Sequence, residues 1–558
     1  DSVFEVPKTR WNADFYYDPD STNGDKTPCK WGGFLPEVTF DPLSFGIPPK
    51  SLPSIDPVQL LSLEVARRAL ADAGYLEREF DRERTSVIFG AEGGTDLSTA
   101  YGFRALYPQL LGEMPEKLAE HLPALSEDSF AGVLSNVISG RIANRLDLGG
   151  VNYTVDAACA SSLAAVDLAV KELVTGNSEM VLCGGADLHN GIADYLMFSS
   201  VHALARKGRC RTFDADADGI VLGEGVACLV LKRLADAERD SDRIYAVIRG
   251  VAGSSDGRSL GLTAPRKEGQ VRAMERAYRQ AQVSPAEVGL VEAHGTGTVV
   301  GDRTELATLT EVYERAGAKP GETAVGSVKS QIGHTKCTAG LAGMIKASLS
   351  LYHRVQPPTL HVSKPNSAYD PTKSPFVISS VARPWLPPLS GGSRKAAVSA
   401  FGFGGTNFHT VLAEYPRAEP PAAGGVRFPA EMFLFRGETP AHASQRAGEL
   451  LRRLGTPIPG SLTDLAFTVC GEGKGPVQIA VVAQDLEDLK RKLARAQTLA
   501  AGDGVYVPRV PHGSLAFLFS GQGSQRPGMM CDLFVAFPAL QRLLELGRKW
   551  AHLILPAP

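Results

Sequence analysis

The stretch Val155-Asp-Ala-Ala-Cys159-Ala-Ser-Ser-Leu163 joins two different patterns. Residues 150–156, Gly-Val-Asn-Tyr-Thr-Val-Asp, read as a buried strand. Ser161–Val174 reads as an apolar helix closed by Gly176. Cys159 therefore falls on a sharp turn at a helix N-terminus. The helix dipole and the free N–H groups there favour a thiolate, which is the nucleophilic form. The same N–H groups suit an oxyanion. The plain alternative is a small buried cysteine.

The same alternation extends outward from this turn. Thr85–Ala91 and Met180–Ala186 read as buried strands running into glycine, and a helix starts near Asp56 and ends at Gly74. Gly225–Leu231 and Ile244–Val251 read as adjacent strands. Arg266–Gln282 and Ala339–Tyr352 read as helices, and Val288–Ala293, Thr323–Ser327 and Lys395–Phe401 as strands. Residues 1–55, rich in Asp, Pro, Gly and aromatics, read as loops and turns. Strands alternating with helices predict α/β layers. The strand–Cys–helix pattern of the first half has a counterpart in the second, where strand–His loops precede helices twice. No short fixed period occurs, which excludes a solenoid.

Composition narrows the classes. The chain has 558 residues, 44% hydrophobic and 21% charged, which excludes a mainly disordered protein. The formal net charge of −3 offers no basic field for nucleic acid. No apolar run reaches the roughly 20 residues of a membrane span, and the start lacks signal-peptide character. The eight cysteines are scattered, with no C-x-x-C pair, so neither a disulfide framework nor zinc spacing is present. That usage fits a reducing, cytoplasmic setting.

Three further segments carry chemistry. Glu292-Ala-His294-Gly-Thr-Gly-Thr298 sets a histidine after a strand, with glycines that let backbone approach a ligand. Gly326-Ser-Val-Lys329-Ser-Gln-Ile-Gly-His334-Thr places a second histidine similarly. With Cys159 they form a Cys-His-His set able to supply donors or acid–base groups to one thioester. Phe401-Gly-Phe403-Gly-Gly-Thr-Asn407 is a Gly-rich loop without the Walker lysine or the dinucleotide fingerprint; it suits either a phosphate or an oxyanion.

Taken in order, Asp156-Ala-Ala-Cys159-Ala-Ser-Ser, Arg211-Thr-Phe-Asp with Asp218-Gly and Gly223-Glu-Gly, the His294 segment with Gly301-Asp, Lys329-Ser with Gly333-His334, and Gly402-Phe-Gly-Gly-Thr-Asn resemble the β-ketoacyl synthase family. The resemblance covers about residues 1–414. It implies a thiolase-like five-layer αβαβα fold of two pseudo-repeated halves, a homodimer, and decarboxylative condensation. Cys159 would take an acyl chain as a thioester, and malonyl on a carrier protein would lose CO2 and attack it. His294 and His334 match the two histidines that assist decarboxylation, and Lys329 the lysine supporting them. Backbone N–H groups of Cys159 and Phe403 would form the oxyanion hole, with Phe403 also the gate. Asp302 and Glu305 match an acidic support, their plain alternative being solvated loop charges; Gly402, Gly404 and Thr406 belong to the supporting loop. No permanent cofactor or metal is implied, only phosphopantetheine-linked acyl and malonyl substrates carried by acyl carrier protein.

Departures from the family pattern are Arg303 in place of the usual Pro after Gly-Asp, Ala-Ala-Cys-Ala-Ser-Ser around the nucleophile, and the absence of the family's Gly-containing opening strand. Residues 25–49 look like the iterative synthases of polyunsaturated fatty acids and long-chain glycolipids, with enediyne-type synthases as neighbours. Pro416–Gly425 reads as a linker. Residues 415–510 resemble the α/β linker domain between ketosynthase and acyltransferase, and 511–558 the opening of an acyltransferase, with a strand at Ser514–Ser520. No G-x-S-x-G elbow follows, so this piece is expected to be inert and to cap the linker, and the neighbouring acyltransferase of the same megasynthase becomes an expected partner. Two other readings compete. A degradative thiolase needs a second catalytic cysteine, absent from Phe401–Asn407. A chain-length-factor-like scaffold would have replaced the nucleophile or a histidine.

Overall fold

The computed structural model describes residues 2–555 apart from 22–23, 259–260, 263, 389–390, 417–427, 456–460, 508–513, 515, 517, 519–520 and 522. Contacts divide it into two units, one of residues 1–421 and 530–558 and one of residues 422–529.

Two sheets organise the larger unit. The first contains β1 (Thr85–Gly90), β2 (Asn152–Val155), β3 (Met180–Asp187) and β4 (Gly225–Lys232), in the order β2-β1-β3-β4. Its first three strands are parallel and β4 is antiparallel to β3. The second contains β5 (Val247–Ser255), β6 (Leu290–Glu292), β7 (Thr323–Gly326), β8 (Phe376–Val377), β9 (Lys395–Gly402) and β10 (Thr406–Ala413), in the order β8-β7-β6-β9-β10-β5. β8, β7, β6 and β9 run parallel, while β10 is antiparallel to both β9 and β5. Every residue of β1 and β3 is buried, as a strand covered on both faces requires.

Helices α1 (Pro57–Asp72), α2 (Asp96–Leu111), α3 (Ser161–Val174), α4 (Lys267–Ala281), α5 (Val299–Arg315) and α6 (Ala339–His353) supply the other layers. One core joins Leu163, Val166 and Ala169 of α3 and Leu341, Met344 and Leu351 of α6 to residues of both sheets, so these two helices form the middle layer. A second core covers the outer face of the first sheet with Leu63, Ala66 and Leu70 of α1 and with Ile138 and Ile142. A third covers the outer face of the second sheet with Met274 and Ala277 of α4 and with Leu306 and Leu309 of α5. The resulting order is helix, sheet, helix, sheet, helix, the five layers expected.

The halves repeat one device. A 3-10 turn, Ala158–Ala160, leads into α3, and another, Lys336–Thr338, leads into α6. Each turn opens on a non-glycine residue in the left-handed region, Ala158 at φ 49° and Lys336 at φ 45°, and each has cysteine second.

Three expectations need correction. Gly225–Leu231 and Ile244–Val251 do not pair, because the short helix Leu234–Arg239 carries the chain between sheets, leaving β4 and β5 at separate edges. Residues 1–55 are not all loop: Val3–Glu5 and Trp31–Gly33 pair, and the latter also pairs with Leu222–Gly223. Residues 530–555 do not join the preceding unit. They pack on the larger one, where Gln541 Nε2 donates to Arg354 O (2.9 Å), Arg383 donates to Leu555 O (3.0 Å) and Cys531 Sγ lies 3.6 Å from Ala382 O. The expected strand Ser514–Ser520 falls mostly outside the described residues, and Ser514, Ala516 and Leu518 are exposed and not in a strand.

The smaller unit is an antiparallel sheet of β11 (Glu431–Arg436), β12 (Val477–Ala483) and β13 (Val505–Tyr506). It packs with α7 (Pro440–Arg453), α8 (Leu462–Gly471) and α9 (Leu486–Gln497) around Phe433, Phe435, Ile479, Val481, Leu489 and Leu493. Thr439, Ser461 and Asp485 cap the three helices by accepting from backbone N–H groups of their first turns.

Candidate active site

Cys159 sits at the middle of the first 3-10 turn, between β2 and α3, and is 7% exposed. The turn is held by its neighbours. Ala157 N donates to Ser161 Oγ (2.8 Å), Ser161 Oγ donates to Ala158 O (2.6 Å) and Ala158 N donates to Asp156 Oδ1 (2.8 Å). Such support is what keeps a strained αL alanine in place.

Cys159 lines a cavity of about 360 Å³ together with His294, His334, Glu305, Phe401 and Phe403. His294 follows β6 and His334 follows the turn after β7; their ring centroids are 5.6 Å apart and the rings nearly perpendicular. The hydrogen bonds fix their protons. Lys336 N donates to His334 Nδ1 (3.0 Å), and Phe401 N donates to His294 Nδ1 (3.4 Å). With Nδ1 accepting, each neutral ring carries its proton on Nε2. Burial, then the Lys329 ammonium, pushes both imidazoles well below the usual histidine range. Both rings are thus neutral donors.

Lys329 does not line the cavity. It is buried beneath the His294 loop, and its Nζ donates to His294 O (2.6 Å). Burial lowers its affinity for a proton, and Glu292, Cys159 and Glu305 oppose that. Glu305 and Asp302, on the first turns of α5, are 2% and 0% exposed, so they are not solvated charges. Glu305 accepts from His294 N (2.7 Å) and Gly295 N (2.8 Å). Asp302 accepts from Gly297 N (3.0 Å) and Phe213 N (2.7 Å). Burial raises both carboxyls to about 7 against these donors. Each supports the loop through its backbone.

The thiol departs from its sequence reading. Burial pushes it up to about 11, and Lys329 only partly offsets this. The resting group is therefore a thiol, since the desolvation of a buried sulfur outweighs the favourable turn.

The Gly-rich loop closes the site. A Cβ on Gly402 would lie 2.2 Å from Ala157 O, so glycine alone lets β9 end against the Cys159 turn. Phe403 stands at the mouth, 44% exposed, with its ring 6.3 Å from that of Phe198. Among the described residues neither Cys159 N–H nor Phe403 N–H meets a protein acceptor. Gly404 and Thr406 do not line the cavity. Gly404, at φ 91°, donates to Leu262 O (2.9 Å), and Thr406 pairs with Gly402 and Ser255 in the sheet. Asn407, not singled out from sequence, lines the cavity and donates to Asp256 Oδ1 (2.7 Å).

The arrangement offers one thiol, two imidazole N–H donors and two backbone N–H donors around one cavity, as acyl transfer and carbanion stabilisation require. Comparison with known proteins agrees. The models of the beta-ketoacyl synthase N-terminal and C-terminal domains match residues 1–237 and 245–363. The chain is 36% identical to a component of the polyunsaturated fatty acid synthase of Thraustochytrium, over 98% of this chain and 21% of that protein. It is also 36% identical to a component of the phenolphthiocerol/phthiocerol polyketide synthase of Mycobacterium tuberculosis, over 96% of this chain and 34% of that protein. The chain thus spans a fifth to a third of these two relatives. Among solved structures it resembles the module 6 ketosynthase of the bacillaene synthase from Bacillus subtilis, with TM-score 0.64, 30% identity, and coverage of 90% of this chain and 81% of that one. An oxazolomycin ketosynthase domain from Streptomyces albus gives TM-score 0.65, 31% identity, and 90% and 84% coverage. By site geometry, layer order and sequence, the chain belongs to the β-ketoacyl synthase family.

Proposed function

We propose that this chain condenses an acyl group held on Cys159 with a malonyl group, both delivered on phosphopantetheine arms of acyl carrier protein. In loading, the Cys159 sulfur–acyl bond forms as the acyl–pantetheine bond breaks, and the thiol proton leaves with the pantetheine sulfur. In condensation, the malonyl carbon–carboxylate bond breaks, CO2 departs, and its electron pair becomes an enolate. The Nε2–H groups of His294 and His334 stabilise that charge. The carbanion attacks the acyl carbonyl, whose oxygen becomes an anion between the Cys159 and Phe403 N–H groups. Its collapse expels the Cys159 sulfur and releases the β-ketoacyl thioester. The carrying observation is the pair of backbone bonds to Nδ1 of both histidines, which leaves two neutral donors beside the only thiol lining the cavity among the described residues. Lys329, Asp302 and Glu305 hold the His294 loop, and Phe403 gates the cavity.

We further infer a homodimer. Helix α2 buries none of its residues and exposes Phe103, Leu106, Leu110 and Leu111, which a second copy would cover. Residues 415–510 and 511–558 are read as the linker and the start of a neighbouring acyltransferase, with residues 530–555 packed on the synthase unit. Among the described residues no helix is long and apolar enough to cross a membrane; we place the reaction in the cytoplasm.

The test is mass spectrometry of the intact protein and its peptides after exposure to a panel of acyl thioesters. The expected result is acyl mass on the Cys159 peptide, absent in Cys159→Ala. A Cys159→Gln variant should still decarboxylate malonyl carrier protein; failure in both assays would leave only a scaffold role.

A further inference from the structure

Behind the two histidines lies a second buried cluster that the synthase mechanism does not use. Asp187, at the end of β3, is 0% exposed. Its Oδ1 meets Lys336 Nζ (3.0 Å), His189 N (3.0 Å) and His189 Nδ1 (3.3 Å), and its Oδ2 accepts from Cys337 N (3.2 Å). Lys336 Nζ also donates to Asn190 Oδ1 (3.2 Å) and Gly223 O (3.1 Å). Both atoms of this ion pair are thus fully engaged. Glu92, Asp187 and His189 bring ligand atoms within 4.8 Å of one another, but the Lys336 ammonium already supplies the positive charge that their carboxylates need.

The location gives the cluster its meaning. Lys336 lies two residues beyond His334, in the left-handed region, and its N–H is the donor that fixes His334 Nδ1 as acceptor. A lysine has no intrinsic reason to hold φ 45° and needs tertiary support to do so. The ion pair and the Cys337 N–H bond, both to Asp187, provide it from the opposite half of the fold. Asp187 stays ionised: burial opposes ionisation, but Lys336 and His189 pull it down to about 2.

We propose that Asp187 and Lys336 are positioning residues of the condensing site, clamping the turn after His334 so that its Nε2–H stays aimed at the reacting carbonyl oxygen. This rests on the β-ketoacyl synthase reading of Cys159 and the two histidines. The Cys159 turn is held locally by hydrogen bonds to Asp156 and Ser161 and meets the clamped turn through the weak Ser161 Oγ–Cys337 Sγ contact at 3.6 Å, so the clamp should act mainly on decarboxylation and leave loading nearly untouched.

The experiment compares Lys336→Met, Lys336→Gly and the double variant Asp187→Asn/Lys336→Met with the unaltered protein. The double variant removes both charges of the pair and leaves His189 free to shed its proton, so it keeps the test intact if a single change costs the fold. Malonyl decarboxylation, measured in a Cys159→Gln background, should fall about tenfold to a hundredfold in kcat for Lys336→Met and the double variant, the cost of misplacing one group. KM and the rate of Cys159 acylation should stay within about threefold. Lys336→Gly should recover part of the loss, because glycine takes the positive φ freely. A merely structural role would lower both half-reactions together. In parallel, ¹⁵N spectra of the His334 imidazole should show one Nε2–H tautomer in the unaltered protein and a mixture in Lys336→Met. A double variant that melts like the parent and decarboxylates within about twofold of it would overturn the clamp, as would an unchanged tautomer. If the unaltered protein neither loads nor decarboxylates, the synthase reading fails, and the tautomer of Lys336→Met still decides the positioning claim.

Discussion

Gly402→Ala tests the oxyanion hole with a single methyl group. The added Cβ would start 2.2 Å from Ala157 O and 3.4 Å from Ala160 N. Carbon atoms of this kind do not approach closer than 3.0 Å, so the loop must withdraw by about 0.8 Å. Phe403 N–H follows directly in the chain and withdraws with it. A donor placed at about 2.9 Å from a developing oxyanion would then stand near 3.7 Å, beyond hydrogen-bond range. Losing one such donor costs about 2.7–4 kcal/mol of transition-state stabilisation, or a hundredfold to a thousandfold in rate. The fold should lose only about 1–3 kcal/mol, the usual cost of overpacking that a loop can relieve. The assay is a quenched-flow time course of acyl mass on Cys159, paired with thermal melting by circular dichroism. Phe403→Ala serves as control, since it keeps the N–H while removing the ring. Acylation by Gly402→Ala within about threefold of the parent would refute the assignment of Phe403 N–H to the hole.

Other expectations follow from buried charge and packing. Asp302 and Glu305 have carboxyls raised by burial to about 7, above their ordinary values of 3.8 and 4.5. The native state then binds more protons than the unfolded state between these limits. Stability should fall as pH rises from about 4 to about 7, by up to about 1.4 kcal/mol per pH unit for each group, and level off above. Asp302→Asn and Glu305→Gln should each flatten that slope in urea titrations; an unchanged slope would remove the group as its source. Lys346→Met strands Glu292, which is 2% exposed and paired to Lys346 at 2.8 Å. It should cost about 3 kcal/mol. Glu292→Gln added to Lys346→Met should recover at least half; additive losses would argue against the pair. Leu163→Ala, in the fully buried middle layer, should cost about 2–5 kcal/mol by urea melt, and a loss below about 1 kcal/mol would mean that α3 is not tightly packed there.

The sequence revealed the elements better than their partners. α3 and α6 were legible because apolar residues recur at helical spacing and because glycine or a turn signal bounds them. β10 was missed because Thr406–Ala413 follows Gly402–Gly405 without a break in composition, and its strand identity comes from pairing with both β9 and β5. The false pairing of residues 225–231 with 244–251 has the same origin, since adjacency in sequence does not decide which sheet a strand joins. That Cys159, His294 and His334 would share one site was readable from local turn chemistry and from order along the chain, and the three do line one cavity. Their proton positions were not, since Lys336 N and Phe401 N reach the Nδ1 atoms only in three dimensions. Charge state was the least legible quantity. Helix position alone suggested a thiolate at Cys159, whereas burial of the sulfur favours the thiol. Asp187 escaped notice because its partners at 336 and 337 lie about 150 residues away, with no spacing to betray them.

The repeated turn leading into α3 and α6 places a sulfur at equivalent points of the two halves, Cys159 and Cys337. Cys159 opens onto the cavity, whereas Cys337 is 0% exposed, lies 3.6 Å from Ser161 Oγ and is held still further from ionisation by burial. An electrophile diffusing down the cavity therefore meets one sulfur of the pair. Covalent probes and irreversible inhibitors should gain their selectivity here from access and from the lesser burial of Cys159, and a warhead needs no further discrimination between the two thiols.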